Sequence, residues 1–315
     1  MRIGIMIAAL ASLLGACSGE TVAQPPPAPV DWRSFQPRPI LDSGPTGPTP
    51  NERAVAESYT AALESPGVSL LSARLDPDAH FAFPGLHDAH GRDAVVQAHG
   101  MLFGAFDQRK FAVARVWRTD SAQSIDWTMT GTQTQAWMGV PSTGKPVAFR
   151  GLTILWTNND GAIKDGHVYF DIAVVKGQLG VGPKDLLNLP PSPPAGGAGT
   201  SRVFEQANSA EEKSNILLCR AALDALENNN LPGYLSAVTD DVEVHTLERA
   251  QPLRGKDDIR AYFKAMHNAI GRLDTTVEND WGIGPFVIVE YDIAGEQIGP
   301  IGWVPIQREK VVRLH

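Results

Sequence analysis

Residues Pro141 to Gly180 read PSTGKPVAFRGLTILWTNNDGAIKDGHVYFDIAVVKGQLG. Val147, Phe149, Leu152, Ile154 and Trp156 supply the apolar positions of one strand. Asn158-Asn159-Asp160-Gly161 follows as a turn, because these residue types tolerate left-handed backbone angles. Ile163 to Phe170, rich in β-branched and aromatic residues, makes a second strand. The stretch is a hairpin, and it closes a unit that begins with helices.

Upstream, Thr49-Pro50-Asn51-Glu52 opens a helix with an N-cap threonine, a proline at the first helical position and a glutamate behind it. A short helix is expected around Leu70–Leu75. A Gly91-Arg92-Asp93 turn and a further helix around Ala94–Phe106 come next. Ile125-Asp126-Trp127-Thr128-Met129 alternates apolar with polar and reads as a long strand. Helices followed by an antiparallel meander give an α+β fold.

The same plan recurs in the second half of the chain. Ser209-Ala210-Glu211-Glu212 is another capping box, and Ala221-Ala222-Leu223-Asp224 repeats Ala61-Ala62-Leu63-Glu64. Past a longer loop, Ser236-Ala237 repeats Ser72-Ala73 and Gly255-Lys256-Asp257 repeats Gly91-Arg92-Asp93. In the same register Trp281, Gly295, Gln297 and Val304-Pro305 repeat Trp117, Gly131, Gln133 and Val140-Pro141. An ungapped register of that length points to duplication of one domain. In the second copy Ile216, Cys219, Leu223 and Leu226 sit at helical spacing, which makes Cys219 a core thiol. Short and third helices follow around Tyr234–Val238 and Asp258–Ile270.

The chain has 315 residues, room for about two domains, and 43% of them are hydrophobic, enough for buried cores. Its formal charge of −8, without a basic stripe, argues against a nucleic-acid partner. Residues 1–17 form a targeting segment: Arg2, an apolar run from Ile3 to Leu14 too short to span a bilayer, then Gly15-Ala16-Cys17. The ending resembles the lipobox of bacterial lipoproteins. That resemblance implies cleavage before Cys17, acylation there and durable membrane attachment, with Ser18 directing the protein to the outer membrane. Residues 18–50 are a proline-rich tether. A second Pro/Gly stretch at 189–202 separates a first domain, 51–188, from a second, 203–315.

The segments DPDAHFAFPG, GRDAV, MGVPSTGKPVAFRGLTIL, DGAIKDGHVYFD and QLG resemble the SnoaL-like polyketide cyclase (ester cyclase) family of the nuclear-transport-factor-two-like superfamily. The resemblance implies two tandem cone-shaped domains, each a curved antiparallel sheet wrapped by about three helices around a pocket. Lys310–His315 then aligns with Pro146–Gly151, so the second copy lacks the closing hairpin and carries an unpaired edge. A cyclase of this family uses an aspartate on the last strand, where this chain has Val168. A supporting histidine falls at Ile154 and a pocket asparagine at Phe81. Three chemical groups have become apolar ones, which argues against cyclase chemistry in the first domain.

Other ionisable groups leave alternatives. His167, Tyr169 and Asp171 alternate on one strand face and either line the cone or, for Asp171, cap the segment that follows. His80, His87, Asp88, His90 and Asp93 are ligand-type residues without a standard zinc spacing, so no metal and no cofactor is assigned. In the second copy His245, aligned with Phe81, is a pocket and catalytic candidate, beside Glu243, Glu248 and Asp292. The expected ligand pocket is lined by Phe81, Trp127, Met129, Ile154, Val168, His245 and Tyr291. These faces suit an apolar small molecule, or a homodimer interface, better than catalysis. The alternative is a cyclase- or isomerase-type enzyme moving a proton through a pocket carboxylate or histidine.

Overall fold

The computed structural model describes residues 52–181, 202–244, 252–299 and 311–314. The chain divides into two compact units, with residues 43–206 in one and residues 207–246 and 251–315 in the other. Cys17, His245 and Glu248 lie outside the described residues.

The first unit begins with α1 (Glu52–Glu64), followed by short 3-10 turns at Pro66–Val68 and Ser72–Arg74. The strands and helices then run β1 (Leu75–Ala82), β2 (Ala89–His90), α2 (Arg92–Phe103), β3 (Phe106–Arg118), β4 (Ala122–Gln133), β5 (Pro146–Thr157), β6 (Ile163–Phe170) and α3 (Ile172–Leu179). The predicted hairpin is β5–β6, with Asn158 as the turn residue: its side-chain oxygen accepts from the Asp160 and Ala162 amides. With Arg202–Glu205 as β7, the sheet order is β2-β1-β6-β5-β4-β3-β7. Pairings are antiparallel except β1 with β6 and β3 with β7.

Two expectations are corrected here. The helix expected over Leu70–Leu75 is only the turn at Ser72–Arg74, and Leu75 starts strand β1. Pro77 is tolerated in β1 because the β1–β6 ladder is interrupted between Leu75 and His80, so no ladder amide is missed there. Arg202–Glu205, assigned from sequence to the linker and the start of the second domain, is β7, a parallel edge strand on β3. Phe204 stacks on Trp117 at 6.4 Å, which fixes β7 laterally.

The core lies on the face of this sheet covered by α1 and α2. Tyr59, Phe81, Phe103, Phe149 and Trp127 are all buried there. Two glycines make room for the large rings. A Cβ on Gly151 would stand 2.2 Å from the Trp127 ring, and one on Gly166 would stand 2.2 Å from Phe81. The neighbour of the Gly151 position on its other side is backbone, Tyr169 O at 2.7 Å, so the added carbon has nowhere to go. Gly151→Ala is therefore expected to lower stability by about 1–3 kcal/mol, the usual penalty of overpacking. Equilibrium urea unfolding measures it; an unchanged midpoint would show that Trp127 can move aside.

The second unit comprises α4 (Ala210–Glu227), α5 (Leu231–Ser236), β8 (Glu243–Val244), β9 (Leu253–Arg254), α6 (Gly255–Ala269), β10 (Ile270–Ile283), β11 (Phe286–Gln297) and β12 (Val311–Leu314). The capping box of α4 is formed: the Ser209 hydroxyl accepts from the Glu212 amide, and the Glu212 carboxylate accepts from the Ser209 amide. That carboxylate also takes the Ala207 and Gly284 amides, four hydrogen bonds that hold it below the usual carboxylate range. Cys219, expected in the core, is half-buried and stands outside the apolar cluster of the second unit; desolvation and the charge of Asp280 push its thiol up to about 12.

Duplication is visible in the ladders. Phe106 faces Gln133 across β3–β4, and Ile270 faces Gln297 across β10–β11. Both ladders shift register at equivalent places, Val113/Arg115 and Val277/Asn279. Gly91 and Gly255 both take positive φ and both donate 2.7 Å amide bonds, to Ala79 O and Val242 O, on the way into α2 and α6. Strand β12 pairs with β11 as β5 pairs with β4, but Val312, not Val311, stands where Val147 stands, opposite the repeated glycine. The end of the second copy is thus displaced by one residue from the sequence alignment.

Candidate functional site

A line of hydrogen bonds crosses the inner face of the first unit. Trp127 on β4 donates its indole N–H to Thr153 Oγ1 on β5 at 2.9 Å. Thr153 also stands near enough to the Tyr59 hydroxyl on α1 to pull its pKa down against the larger effect of burial. Tyr59 Oη lies 2.9 Å from His99 Nε2, and His99 Nδ1 lies 2.8 Å from the Val95 carbonyl one turn back on α2. The partners dictate every proton. A carbonyl only accepts, so His99 carries its hydrogen on Nδ1 and accepts from Tyr59 at Nε2. Indole only donates, so the Thr153 hydroxyl accepts from Trp127.

Both titratable members are held neutral. Burial pushes His99 down to about 4 and raises Tyr59 above the usual phenol range. The His99 ring is edge-on to Tyr59, Phe81 and Phe83 at 5.7, 5.0 and 4.8 Å. No lone pair on His99 is left for a substrate, and both side chains are fully buried. Chemically this line positions and rigidifies; it does not transfer a proton.

The sequence-predicted residues distribute over different places. Phe81, Trp127, Met129 and Val168 are together on the inner face, and all four are packed into the aromatic core. Ile154 is not with them. It pairs with His167 and Ser124, while Thr153 pairs with Val168 and Ile125, so strand alternation puts Thr153 inside and Ile154 on the opposite face. His167 shares that opposite face, its ring 4.9 Å from Trp156 and its Nε2 3.9 Å from Asp165. Asp171 takes the capping alternative: Oδ1 accepts from the Ala173 and Val174 amides at 2.7 and 3.2 Å and starts α3. Its Oδ2 is buried without a hydrogen-bond partner, and burial lifts the carboxyl above the usual range. Asp126 also lies off the inner face, lifted by burial against the pull of Arg115 and Arg150.

In the second unit Tyr291 is packed into the apolar cluster, opposite Val277. Its hydroxyl is buried without a hydrogen-bond partner and is raised by burial, with Tyr234 and Cys219 adding to the rise. His267 Nε2 is likewise buried without a partner.

A groove of about 690 Å³ opens on the first unit, outside the aromatic core. Leu86, Met101 and Met138 supply its apolar wall, and Asp107, Arg109 and Gln135 its polar one. Arg109 is turned inward, giving hydrogen bonds to the Leu63, Phe106 and Ser65 carbonyls at 2.9, 2.6 and 2.6 Å. Val68, Gln108 and Met138, at or beside the rim, take positive φ without being glycine. Such strained backbone gathers at ligand clamps and other functional positions.

The pattern described as SnoaL-like polyketide cyclase matches residues 53–179, and that described as SnoaL-like domain matches residues 219–311. The chain carries two SnoaL-like domains in tandem. Both show an α+β arrangement of sheets and helices, with a mixed sheet in the first and antiparallel sheets in the second.

Among solved structures, a candidate SnoaL-like polyketide cyclase from Jannaschia sp. CCS1 is 17% identical, with 45% of this chain and 99% of that one covered at a TM-score of 0.39. IdmH, a candidate polyketide cyclase of Streptomyces antibioticus, is 24% identical over 42% of this chain and 100% of its own, at 0.37. A ketosteroid-isomerase-like protein from Catenulispora acidiphila, solved with trimethylamine, is 16% identical over 44% and 98%, at 0.36. No match is found among curated proteins.

Sequence reasoning missed Tyr59, Thr153 and His99 in the first SnoaL-like domain. The internal repeat held a hint: Tyr59 aligns with Cys219 and His99 with Phe263, so two polar groups of one copy are replaced in the other. Among the described residues, no three His, Cys, Asp or Glu side chains are gathered to hold a metal ion, and no helix is long and apolar enough to cross a membrane.

Proposed function

We propose that this protein is a lipid-anchored protein of the bacterial envelope whose SnoaL-like domains bind an apolar small molecule without cyclase chemistry. In this reading residues 1–17 are the lipoprotein signal, Cys17 takes the lipid, and 18–50 tether the domains to the outer membrane. The domains themselves occupy roughly 51–206, with β7 at the end of the first, and 207–315. SnoaL-like domains as a family support small-molecule binding.

The observation that carries the non-catalytic part is the filled inner face of the first domain. Where a cyclase keeps a pocket and an acid, this chain packs Phe81, Trp127, Met129 and Val168, and the only inner histidine and tyrosine among the described residues bond to each other. The groove beside Leu86, Met101 and Met138 then offers the space. Its volume lies within the range of small-molecule sites, and methionine side chains adapt to apolar guests. A second position has its own observation, the buried and unpartnered Tyr291 hydroxyl, which would suit a ligand with one hydrogen-bond acceptor.

Native mass spectrometry of the full chain extracted from its host membranes tests the reading. The expected result is a defined bound mass that disappears in Met101→Lys, a change at a half-exposed side chain of the groove. Loss in Tyr291→Phe with retention in Met101→Lys would move the ligand to the second domain. Wild-type protein with no bound mass would overturn binding, and turnover of a cyclase substrate would overturn the non-catalytic part.

A further inference from the structure

The groove of the first domain has a polar wall whose charge is unanswered. Arg109 on β3 lines the groove and is 6% exposed. Its Nε, Nη1 and Nη2 donate to the Leu63, Phe106 and Ser65 carbonyls. Leu63 and Ser65 stand at the C-terminal end of α1, where a cation suits the last carbonyls of the helix. A guanidinium carries five N–H donors, so two remain after these three bonds.

Carbonyl oxygens carry only partial charge, and the acids nearby are placed elsewhere. Glu64 gives its oxygens to the Lys110 ammonium and the Phe111 amide, at 2.9 and 2.7 Å. Asp107 stands exposed on the same wall as Arg109. Both act on the guanidinium across space, and desolvation outweighs them, so Arg109 is pulled below its ordinary range. Among the described residues Arg109 forms no ion pair, whereas buried cations are as a rule paired with an anion. The rest of the groove suits an apolar body. Leu86, Met101 and Met138 wall it, above a floor that includes Gly67 and Gly100. A Cβ on Gly67 would meet nothing within 4 Å, so the floor lies open.

We propose that the groove takes an amphipathic monocarboxylate, its carboxylate on the remaining N–H groups of Arg109 and its apolar body along Leu86, Met101 and Met138. This rests on the groove being the binding site and adds the chemical class of the ligand. Hydrogen bonds between ionised partners are stronger than neutral ones, so the head of the ligand is selected for its charge.

Calorimetric titration of the full chain with sodium decanoate and with decan-1-ol, which share an apolar body and differ in charge, tests this. Decanoate is expected to bind about fivefold more tightly than the alcohol, although the alcohol is the more apolar molecule. Asp107→Asn, at an exposed position, removes a like charge from the wall and should widen that preference about twofold. Met101→Ser, which takes away apolar wall without adding charge, should weaken both probes. Arg109→Gln would also release three carbonyls, so the comparison of probes stands in its place. Equal or tighter binding of decanol would overturn the carboxylate and leave apolar binding standing. An unchanged preference in Asp107→Asn would put the carboxylate away from this wall and overturn the proposal as well. Binding of neither probe, or of both equally well to Met101→Ser, would remove the groove as the site and overturn the reading beneath it.

Discussion

Trp127→Ala is expected to destabilise the first domain by about 3–5 kcal/mol, the range for truncating a buried aromatic side chain. The indole is fully buried and meets Phe103, Phe111, Phe149 and Phe170 at centroid distances of 6.1, 5.3, 6.0 and 6.3 Å. Removing it also strips Thr153 of the N–H donated at 2.9 Å, leaving a buried acceptor unsatisfied. Gly151 lies beneath the ring, so no side chain there can swing in to fill the space. An apolar void of this kind, on the order of 100 Å³, stays dry and accepts a flat aromatic guest. Indole at millimolar concentration should therefore raise the melting temperature of Trp127→Ala and leave the wild type unaffected. A variant as stable as wild type, or one blind to indole, would mean that the inner face collapses to fill the gap and is not the rigid core described above.

The second large effect is acid destabilisation through His99. Its ordinary value is 6.5, and in the fold burial pushes it down to about 4. The unfolded chain therefore takes up a proton as pH falls through 6.5, whereas the folded chain resists until pH approaches 4. The stability contributed by the neutral imidazole is complete above pH 6.5 and is lost as pH falls to about 4. A separation of this size corresponds to about 3 kcal/mol. Asp171 and Asp126, both raised by burial, act in the opposite sense: ionising them above the usual carboxylate range disfavours the fold. The clean measurement is consequently a difference. His99→Gln keeps an acceptor for Tyr59 and cannot titrate, so its stability between pH 4 and pH 6.5 should be flatter than wild type by about 3 kcal/mol. Parallel pH profiles for the two proteins would show that His99 is charged in the fold or accessible to solvent.

Both effects arise from residues brought together from four separate elements, and this explains what was legible beforehand. The β5–β6 hairpin could be read because its information is local: a turn of Asn, Asp and Gly between two runs of strand-forming residues. The duplication could be read because it is a property of spacing alone, and the repeated bulges and glycine turns follow from it. Asp171 offered two roles to the sequence, and the fold chose the cap because the strand ends there and two amides of α3 need an acceptor. Strand β1 was hidden by Asp76, Pro77 and Asp78, residue types that argue against a strand unless a neighbouring ladder is already broken.

The inner face shows the division most sharply. Alternation says that residues two apart share a face, but on β5 both sets are apolar enough to be buried: Phe149 and Leu155 on one, Leu152 and Ile154 on the other. Nothing within the strand says which set meets the core. Pairing with β4 and β6 decides it, placing Thr153 inward beside Trp127 and Ile154 outward beside His167. The amino-acid sequence by itself determined the β5–β6 hairpin, the β4 strand, the repeat and the residue types at hand. Only the tertiary structure decided that Tyr59 bonds His99 and Trp127 bonds Thr153 on one inner face, and that His80, His90 and Asp165 share another place. Periodicity is written within about ten residues, whereas burial and hydrogen-bond partnership depend on residues dozens of positions apart.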